Sequence, residues 1–242
     1  MVVVVAMNAK KVLVSSAIGI AAYFLVLRGA FASTVDDDQT GETVDPRTAK
    51  EAASRLAAAG GTKTLGARAV EVLARDLGAR GNGARGTSGY HRGALIDQIN
   101  LGVYEDGRSL LGKPWCARAA RYAYERAAQE LGLPPPFAGI KNTLASVSTW
   151  ASQFKPWKLD APKVGAVGLT KKLGHATLVM QVNPDGTYLS VEANHGDAVA
   201  SVKRKSADML FYDIEAAARA RSERVVGYVL GTDVLVAIGC VA

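Results

Sequence analysis

Apolar and polar positions follow two different periods along this chain, and the period changes beyond its middle. Up to about residue 153, apolar residues recur every three or four positions, the spacing of one buried helix face. From about residue 163, short runs rich in Val, Leu and Thr are separated by turn residues, which is typical of strands. Helices followed by strands predict an α+β fold rather than repeated βαβ units.

Helices are predicted throughout the first part of the chain. Asp45 and Pro46 form a favourable helix start, and the helix runs to about Ala59. Further helices are predicted at 67–77, 94–102, 116–131 and 143–153. The helix at 116–131 has the clearest buried stripe, which consists of Cys116, Ala119, Ala120, Ala123, Ala127 and Leu131.

The second part of the chain contains predicted strands at 163–170, 175–182, 187–194, 198–204 and 224–231. The sequence NPDG at 183–186 has the residues of a hairpin turn, so the two strands around it are expected to pair. The predicted domain is therefore a group of helices followed by a small antiparallel sheet or open barrel.

An apolar run without charges, residues 12–27, follows Lys10 and Lys11 near the start of the chain. Small residues at positions 30 and 32 fit a signal-peptidase site. The run is intermediate in length between a signal-peptide core and a spanning helix. It is interpreted as a cleaved signal or a retained membrane anchor, with a buried core helix as the remaining alternative. Either of the first two implies an exported protein, periplasmic or anchored in the cell envelope.

Domain organisation follows from these patterns. Residues 1–32 are assigned to the signal peptide or anchor, residues 33–66 to a linker with a short helix, and residues 67–242 to one globular domain. The linker assignment depends on the polar, acidic composition of 33–45.

Composition and charge narrow the functional classes. The chain has 242 residues, of which 49% are hydrophobic and 21% charged, as in globular proteins. The formal net charge of +7 fits either a soluble basic surface or affinity for an anionic partner such as a cell-wall polymer, acidic lipid or nucleic acid. No nucleic-acid-binding motif is present, so nucleic acid is not expected as a partner. The two cysteines, Cys116 and Cys240, are too few for a disulfide framework, and Cys240 is expected to be a core thiol.

Cys116 lies at the start of the helix predicted at 116–131, in the sequence GKPWCARAA. A helix N-terminus stabilises negative charge, so the nucleophilic thiolate is favoured there over the thiol. Backbone N–H groups of the same turn can also face an oxyanion. The alternative is a buried structural thiol, the usual state of a free cysteine.

A base for this nucleophile must come from the three histidines, which are His91, His175 and His195. His175 opens a predicted strand, and the predicted hairpin places it opposite the end of the next strand. Glu192 and Asn194 lie two residues apart near that end, so they are expected to share one face of the strand. A nucleophile, an imidazole and a polar group that orients the imidazole form a catalytic triad.

The other two histidines are weaker candidates. His91 lies in the glycine-rich loop 78–93, and His195 follows Asn194 and is therefore expected to point to the opposite face. By residue type alone, Cys116, His175 and His195 could bind zinc, but their spacing matches no structural zinc pattern.

Three segments in this order carry a resemblance to a known family: GKPWCARAARYAYERAAQELG, PKVGAVGLTKKLGHATLVMQV and LSVEANHGDAVASVKR. They resemble the CHAP family, the cysteine- and histidine-dependent amidohydrolases and peptidases of cell-wall turnover. The resemblance covers about residues 67–231 and implies a papain-like catalytic domain. It implies that Cys116 is the nucleophile, His175 the base and Glu192 the group that orients the imidazole. Asn194 is implied as a supporting polar group.

The resemblance implies a hydrolase that cleaves an amide bond in peptidoglycan through a thioester, without a cofactor or metal. Peptidoglycan is then the expected partner, with membrane association through residues 12–27. Two positions differ from the family: Gly165-Ala166, where Gly-Asp is usual, and the EANH sequence at 192–195, where E-G-N-T is usual. Two alternatives therefore stay open, an inactive wall-binding protein and a membrane-anchored structural protein of a virion or secretion machine.

Overall fold

The computed structural model describes residues 41–58, 63–83, 87–101, 109–140 and 144–229. All of these residues belong to one compact unit. The predictions for the signal peptide or anchor at 1–32 and for Cys240 lie outside the described residues. Among the helices that are described, none combines the length and the apolar character needed to cross a membrane.

Helices and a single antiparallel sheet make up the described part of the chain, which confirms the predicted α+β class. The helices are α1 Pro46–Ala58, α2 Leu65–Ala74, α3 Ala94–Ile99, α4 Cys116–Glu130, α5 Val147–Gln153 and α6 Ile214–Val229. Short 3₁₀ turns occur at Lys155–Trp157 and Ser206–Asp208. The strands are β1 Glu42–Val44, β2 Lys158–Leu159, β3 Val167–Thr170, β4 Ala176–Val182, β5 Thr187–His195, β6 Ala198–Lys205 and β7 Met209–Tyr212.

The strands form a seven-stranded sheet in the order β1-β6-β5-β4-β3-β7-β2, with every neighbouring pair antiparallel. The hairpin predicted around residues 183–186 is confirmed, since β4 pairs with β5 and the Asn183 N–H donates to the Thr187 carbonyl at 3.0 Å. The long central strand β5 is covered on both faces.

Two buried clusters lie on the two faces of this sheet, as the alternation of side chains along a strand requires. The main core includes Leu189 and Val191 of β5 and the buried alanine stripe of α4, which packs against α2, β4 and β5. Small alanine side chains allow α4 to approach the sheet closely. The smaller cluster consists of Ala166, Val179, Tyr188, Met209 and Phe211.

The prediction of a strand at 224–231 is wrong for residues 224–229, which belong to helix α6. The Asp213 side chain accepts the Ala216 N–H at 3.0 Å and caps the start of this helix. An alanine-rich segment follows, and extending an existing helix through the later valines costs little once its first turn has formed. The preference of those valines for a strand is weaker than the tendency of an established helix to continue.

The described part of the segment predicted as a linker, residues 41–58 and 63–66, contributes to the sheet and to the core. Strand β1 pairs with β6, with Glu42 opposite Lys203 and Val44 opposite Ser201. Helix α1 packs against α2 through the buried Ala49. Strand β1 has only three residues and no alternation of apolar and polar positions, so the sequence does not predict it. It forms because its backbone pairs with the edge of β6.

Candidate active site

The nucleophile candidate Cys116 is the first residue of α4 and is only 6% exposed. The preceding Trp115 is fully buried, and its carbonyl accepts the first hydrogen bond of the helix from the Ala119 N–H at 2.8 Å. The buried Asn100 side chain donates to the Lys113 carbonyl at 3.0 Å and fixes the turn that leads into the helix. The N–H groups in the first turn of a helix have no acceptors within the helix, and such groups can donate to a developing negative charge.

His175 lies at the end of the turn between β3 and β4 and is completely buried. The Thr170 hydroxyl accepts the N–H groups of Gly174 and His175, each at 3.1 Å. The Thr170 N–H in turn donates to the His175 carbonyl at 3.1 Å. Thr170 therefore fixes the backbone that carries the imidazole.

The structure brings together three of the four predicted site residues, which are Cys116, His175 and Glu192. His175 Nε2 lies 2.9 Å from Glu192 Oε2. Cys116 also lies close enough to the imidazole of His175 to raise its pKa. Because Nε2 is engaged by the carboxylate, Nδ1 is the ring nitrogen left to face the sulphur.

Glu192 is held by a buried arginine that the sequence analysis did not identify. Arg204 on β6 donates from Nε to Oε1 at 2.6 Å and from Nη2 to Oε2 at 2.8 Å. The Ser190 hydroxyl, two residues earlier on β5 and therefore on the same face, donates to Oε1. The ionised form of the Glu192 carboxylate is consequently stabilised by His175 in the turn before β4, by Ser190 on β5 and by Arg204 on β6.

Charges in this network shift two pKa values in opposite directions. Burial alone would raise the pKa of Glu192, but the hydrogen bonds from Arg204 and His175 outweigh it and lower this pKa to about 2. Burial would lower the pKa of His175, but Cys116 and Glu192 outweigh it and raise this pKa to about 10. At neutral pH an imidazolium therefore faces the sulphur and is stabilised by a carboxylate behind it.

A β-bulge after Glu192 changes which side chains face the network. Glu192 pairs with Ala200 and His195 pairs with Ala198, so β5 contains one extra residue there, and Asn194 has φ +64°. The prediction that His195 points away from the site is wrong, because its Nδ1 lies 3.7 Å from Glu192 Oε2. The bulge breaks the alternation on which that prediction depended.

Asn194, the fourth predicted residue, is 2% exposed, and its side-chain oxygen accepts no hydrogen bond. Within the described residues, Asn194 makes no hydrogen bond to His175. Its left-handed backbone is better suited to Asn than to most residues. The structure therefore assigns it a place in the bulge, while Glu192 is the residue that contacts the imidazole.

His91 lies in the glycine-rich loop as predicted, but it is buried against Asp197, with Nδ1 2.8 Å from Oδ1. Among the described residues, no group of three His, Cys, Asp or Glu side chains has an arrangement that could hold a metal ion.

A cavity of about 430 Å³ opens beside the network, lined by Gly41, Glu42, Thr187, Lys203, Arg204, Lys205, Asp208 and Met209. It shares Arg204 with the network, but its lining does not include Cys116 or His175. A substrate bound in this cavity would not contact the Cys116 sulphur, so we do not assign the cavity as the substrate site of the Cys116–His175–Glu192 network.

The sequence matches no protein-family model, and its comparison with characterised proteins and with solved structures finds no significant similarity. The resemblance to the CHAP family therefore depends on the three segments quoted above. One of the two differences from that family, Ala166, lies in the smaller buried cluster, whereas Cys116 lies in the main core.

Proposed function

We propose that this protein is a peptidoglycan hydrolase of the CHAP type, an amidase or endopeptidase with a papain-like fold. The observation that carries the proposal is the chain of contacts from Cys116 through His175 to Glu192. A thiol at a helix start, an imidazole beside it and a carboxylate behind the imidazole are the groups that amide cleavage by a cysteine requires. The resemblance supplies the substrate class.

In the proposed reaction, the Cys116 thiolate attacks the carbonyl carbon of a wall-peptide amide. A C–S bond forms, and the carbonyl electron pair moves onto oxygen to give an oxyanion that first-turn N–H groups of α4 stabilise. The oxyanion collapses, the C–N bond breaks, and the His175 imidazolium gives its Nδ1 proton to the departing amine. The product of this step is a thioester on Cys116.

Hydrolysis of the thioester returns the site to its starting state. Neutral His175 takes a proton from water, and the hydroxide that results attacks the thioester carbon. The C–S bond breaks, so the sulphur leaves as a thiolate beside the newly formed imidazolium. The carbonyl group departs as a carboxylic acid, and no cofactor or redox partner is needed.

The supporting residues have separate roles in this proposal. Glu192 fixes the orientation of the imidazole and stabilises its charged form, and Arg204 keeps Glu192 ionised. Asn194 is proposed as a supporting polar group through its place in the bulge. A net charge of +7 suits an anionic wall, and the apolar run at 12–27 suits a protein exported to the cell envelope or anchored there.

Zymography on purified cell wall tests the proposal. Wild type should clear the wall, whereas Cys116→Ala and His175→Asn should not, and Cys240→Ala provides a matched control for loss of a cysteine. Mass spectrometry of the soluble fragments then identifies the bond that is cut. A folded wild type that binds the wall without clearing it would replace this proposal with the inactive wall-binding protein.

A further inference from the structure

Asp197 is a buried carboxylate in the turn between β5 and β6, outside the chain of contacts described above. Its Oδ1 accepts the indole N–H of Trp115 at 3.1 Å and lies 2.8 Å from His91 Nδ1. Its Oδ2 accepts the backbone N–H of His91 at 3.1 Å. A carboxylate only accepts hydrogen bonds, so His91 carries a proton on Nδ1 and donates it here.

Backbone contacts hold the same turn from the side of the glycine-rich loop. The Gly81 N–H donates to the Asp197 carbonyl at 2.9 Å, and the Gly78 N–H donates to the Val199 carbonyl at 2.9 Å. A Cβ atom on Gly81 would lie 1.8 Å from Asp197 Oδ2. Position 81 therefore has to be glycine for the chain to pack this closely against the carboxylate.

Trp115 connects this cluster to the nucleophile. It directly precedes Cys116, it is fully buried, and its carbonyl accepts the first hydrogen bond of α4. Fixing its indole ring therefore fixes the direction in which the chain enters the first turn of the helix. Glu192 lies on β5, and Asp197 lies in the turn that follows this strand. Through Trp115, Asp197 therefore connects helix α4, which carries Cys116, to the strand that carries Glu192.

We propose that Asp197 is a positioning residue for the nucleophile, which keeps the Cys116 sulphur against His175 by holding Trp115 and His91. This inference rests on the proposed function, in which that contact is the reactive one. Misplacement of a reacting group by about 1 Å can cost about 100-fold in rate. Loss of the Asp197 contacts should therefore lower kcat by about tenfold to 100-fold, with little change in KM.

Asp197→Asn and Trp115→Phe separate this role from a general effect on folding. Asn keeps the size of the side chain and tolerates the observed φ of +57°, but its NH₂ group must face one of the three donors. Trp115→Phe removes only the indole donor and some ring volume. Trp150→Phe is the matched control, because Trp150 is equally buried and donates its indole N–H to the Leu144 carbonyl at 2.9 Å.

The primary measurement is the rate at which iodoacetamide alkylates Cys116 at pH 6, followed on its own peptide by mass spectrometry. An isolated thiol, with a pKa of about 8.5, reacts slowly at this pH, so the rate reports how closely the His175 imidazole and the sulphur are held together. Alkylation is also measured at pH 9, where an isolated thiol reacts rapidly. Loss of positioning in a folded protein slows alkylation at pH 6 without accelerating it at pH 9, whereas loss of stability exposes the buried thiol and accelerates alkylation at pH 9. Measurement at both pH values therefore distinguishes the two effects. Wall hydrolysis by the same variants is measured in parallel.

Slower alkylation in Asp197→Asn and in Trp115→Phe, no further slowing in the double variant, and no slowing in Trp150→Phe are the expected results. Rates in Asp197→Asn equal to wild type or faster at pH 6, or slower at pH 6 but faster than wild type at pH 9, would overturn the positioning role. If wild type is alkylated rapidly but does not hydrolyse wall, the proposed function fails, and the alkylation rates alone decide the role of Asp197.

Discussion

Arg204 holds Glu192 through two parallel hydrogen bonds, Nε to Oε1 at 2.6 Å and Nη2 to Oε2 at 2.8 Å. Both side chains are almost fully buried, with 3% of the Arg204 side chain and none of the Glu192 side chain exposed. Each charge therefore offsets much of the cost of burying the other. The orientation of the His175 imidazole depends on this pair, since Glu192 contacts both Arg204 and His175.

The first prediction concerns the stability of this pair. Arg204→Met leaves a buried carboxylate without its main partner and should reduce the free energy of unfolding by about 3–5 kcal/mol. Adding Glu192→Gln removes the stranded charge, so the double variant should be more stable than Arg204→Met alone. Urea denaturation followed by circular dichroism measures both. Additive losses in the double variant would show that the two groups are not coupled.

The second prediction compares Glu192 with Asn194 in turnover. Glu192→Gln removes the charge that stabilises imidazolium and should lower kcat by about tenfold to a thousandfold, below the loss of about four orders of magnitude known for such carboxylates. Asn194→Gly keeps the left-handed backbone of the bulge and should have a smaller effect. Wall hydrolysis by variants confirmed to be folded is the test. A larger loss in Asn194→Gly would make Asn194 the third member of the triad.

Local signals explain which parts of the site could be predicted from the sequence. The NPDG turn defines the hairpin that brings His175 to Glu192, and the alanine stripe defines the helix that begins at Cys116. Arg204 could not be predicted in the same way, because it is 12 residues from Glu192 and on a different strand. A basic residue near the end of a strand usually indicates a solvated position.

The orientation of His195 and the secondary structure of residues 224–229 were predicted incorrectly for similar reasons. A bulge is a property of the pairing between two strands, and no residue pattern within EANH indicates the extra residue in β5. Strand β1 and the extension of α6 depend on partners elsewhere in the fold or on an earlier helix start. The periodicity of apolar residues within one segment carries no information about such partners or about where an earlier helix begins.

The third prediction concerns stability at acid pH. The pKa of Glu192 is lowered in the folded protein from 4.5 to about 2, so its contribution to stability is present above pH 4.5 and is lost as the pH falls towards about 2. The difference in free energy of unfolding between wild type and Glu192→Gln should therefore shrink over this range. Urea denaturation at several pH values measures it. A difference that stays constant down to pH 2 would mean that the carboxyl is not paired in the folded state.

His175 gives the opposite dependence, because its pKa is raised in the folded protein from 6.5 to about 10. Its contribution to stability is present below pH 6.5 and is lost as the pH rises towards about 10. The stability difference between wild type and His175→Asn should shrink over that range. An unchanged difference would show that the imidazolium is not stabilised by its neighbours.

The fourth prediction concerns Thr170, which accepts two backbone N–H groups beside His175. Thr170→Val keeps the shape but leaves these donors unsatisfied, which should cost about 1–3 kcal/mol in stability. It should also reduce wall hydrolysis, because the turn that carries the imidazole loosens. Thr170→Ser keeps the oxygen and should restore both properties. Failure of Thr170→Ser to restore activity would mean that the methyl group of Thr170, rather than its hydroxyl, is required.

The central claim is that Cys116 cleaves an amide in the cell wall, and release of new amino groups from purified sacculi tests it most directly. Wild-type protein should release them steadily, with Cys240→Ala close to wild type. Cys116→Ala should lose activity by several orders of magnitude, as removal of a catalytic nucleophile does elsewhere. Equal release by wild type and a folded Cys116→Ala, or none by a folded wild type, would contradict the account.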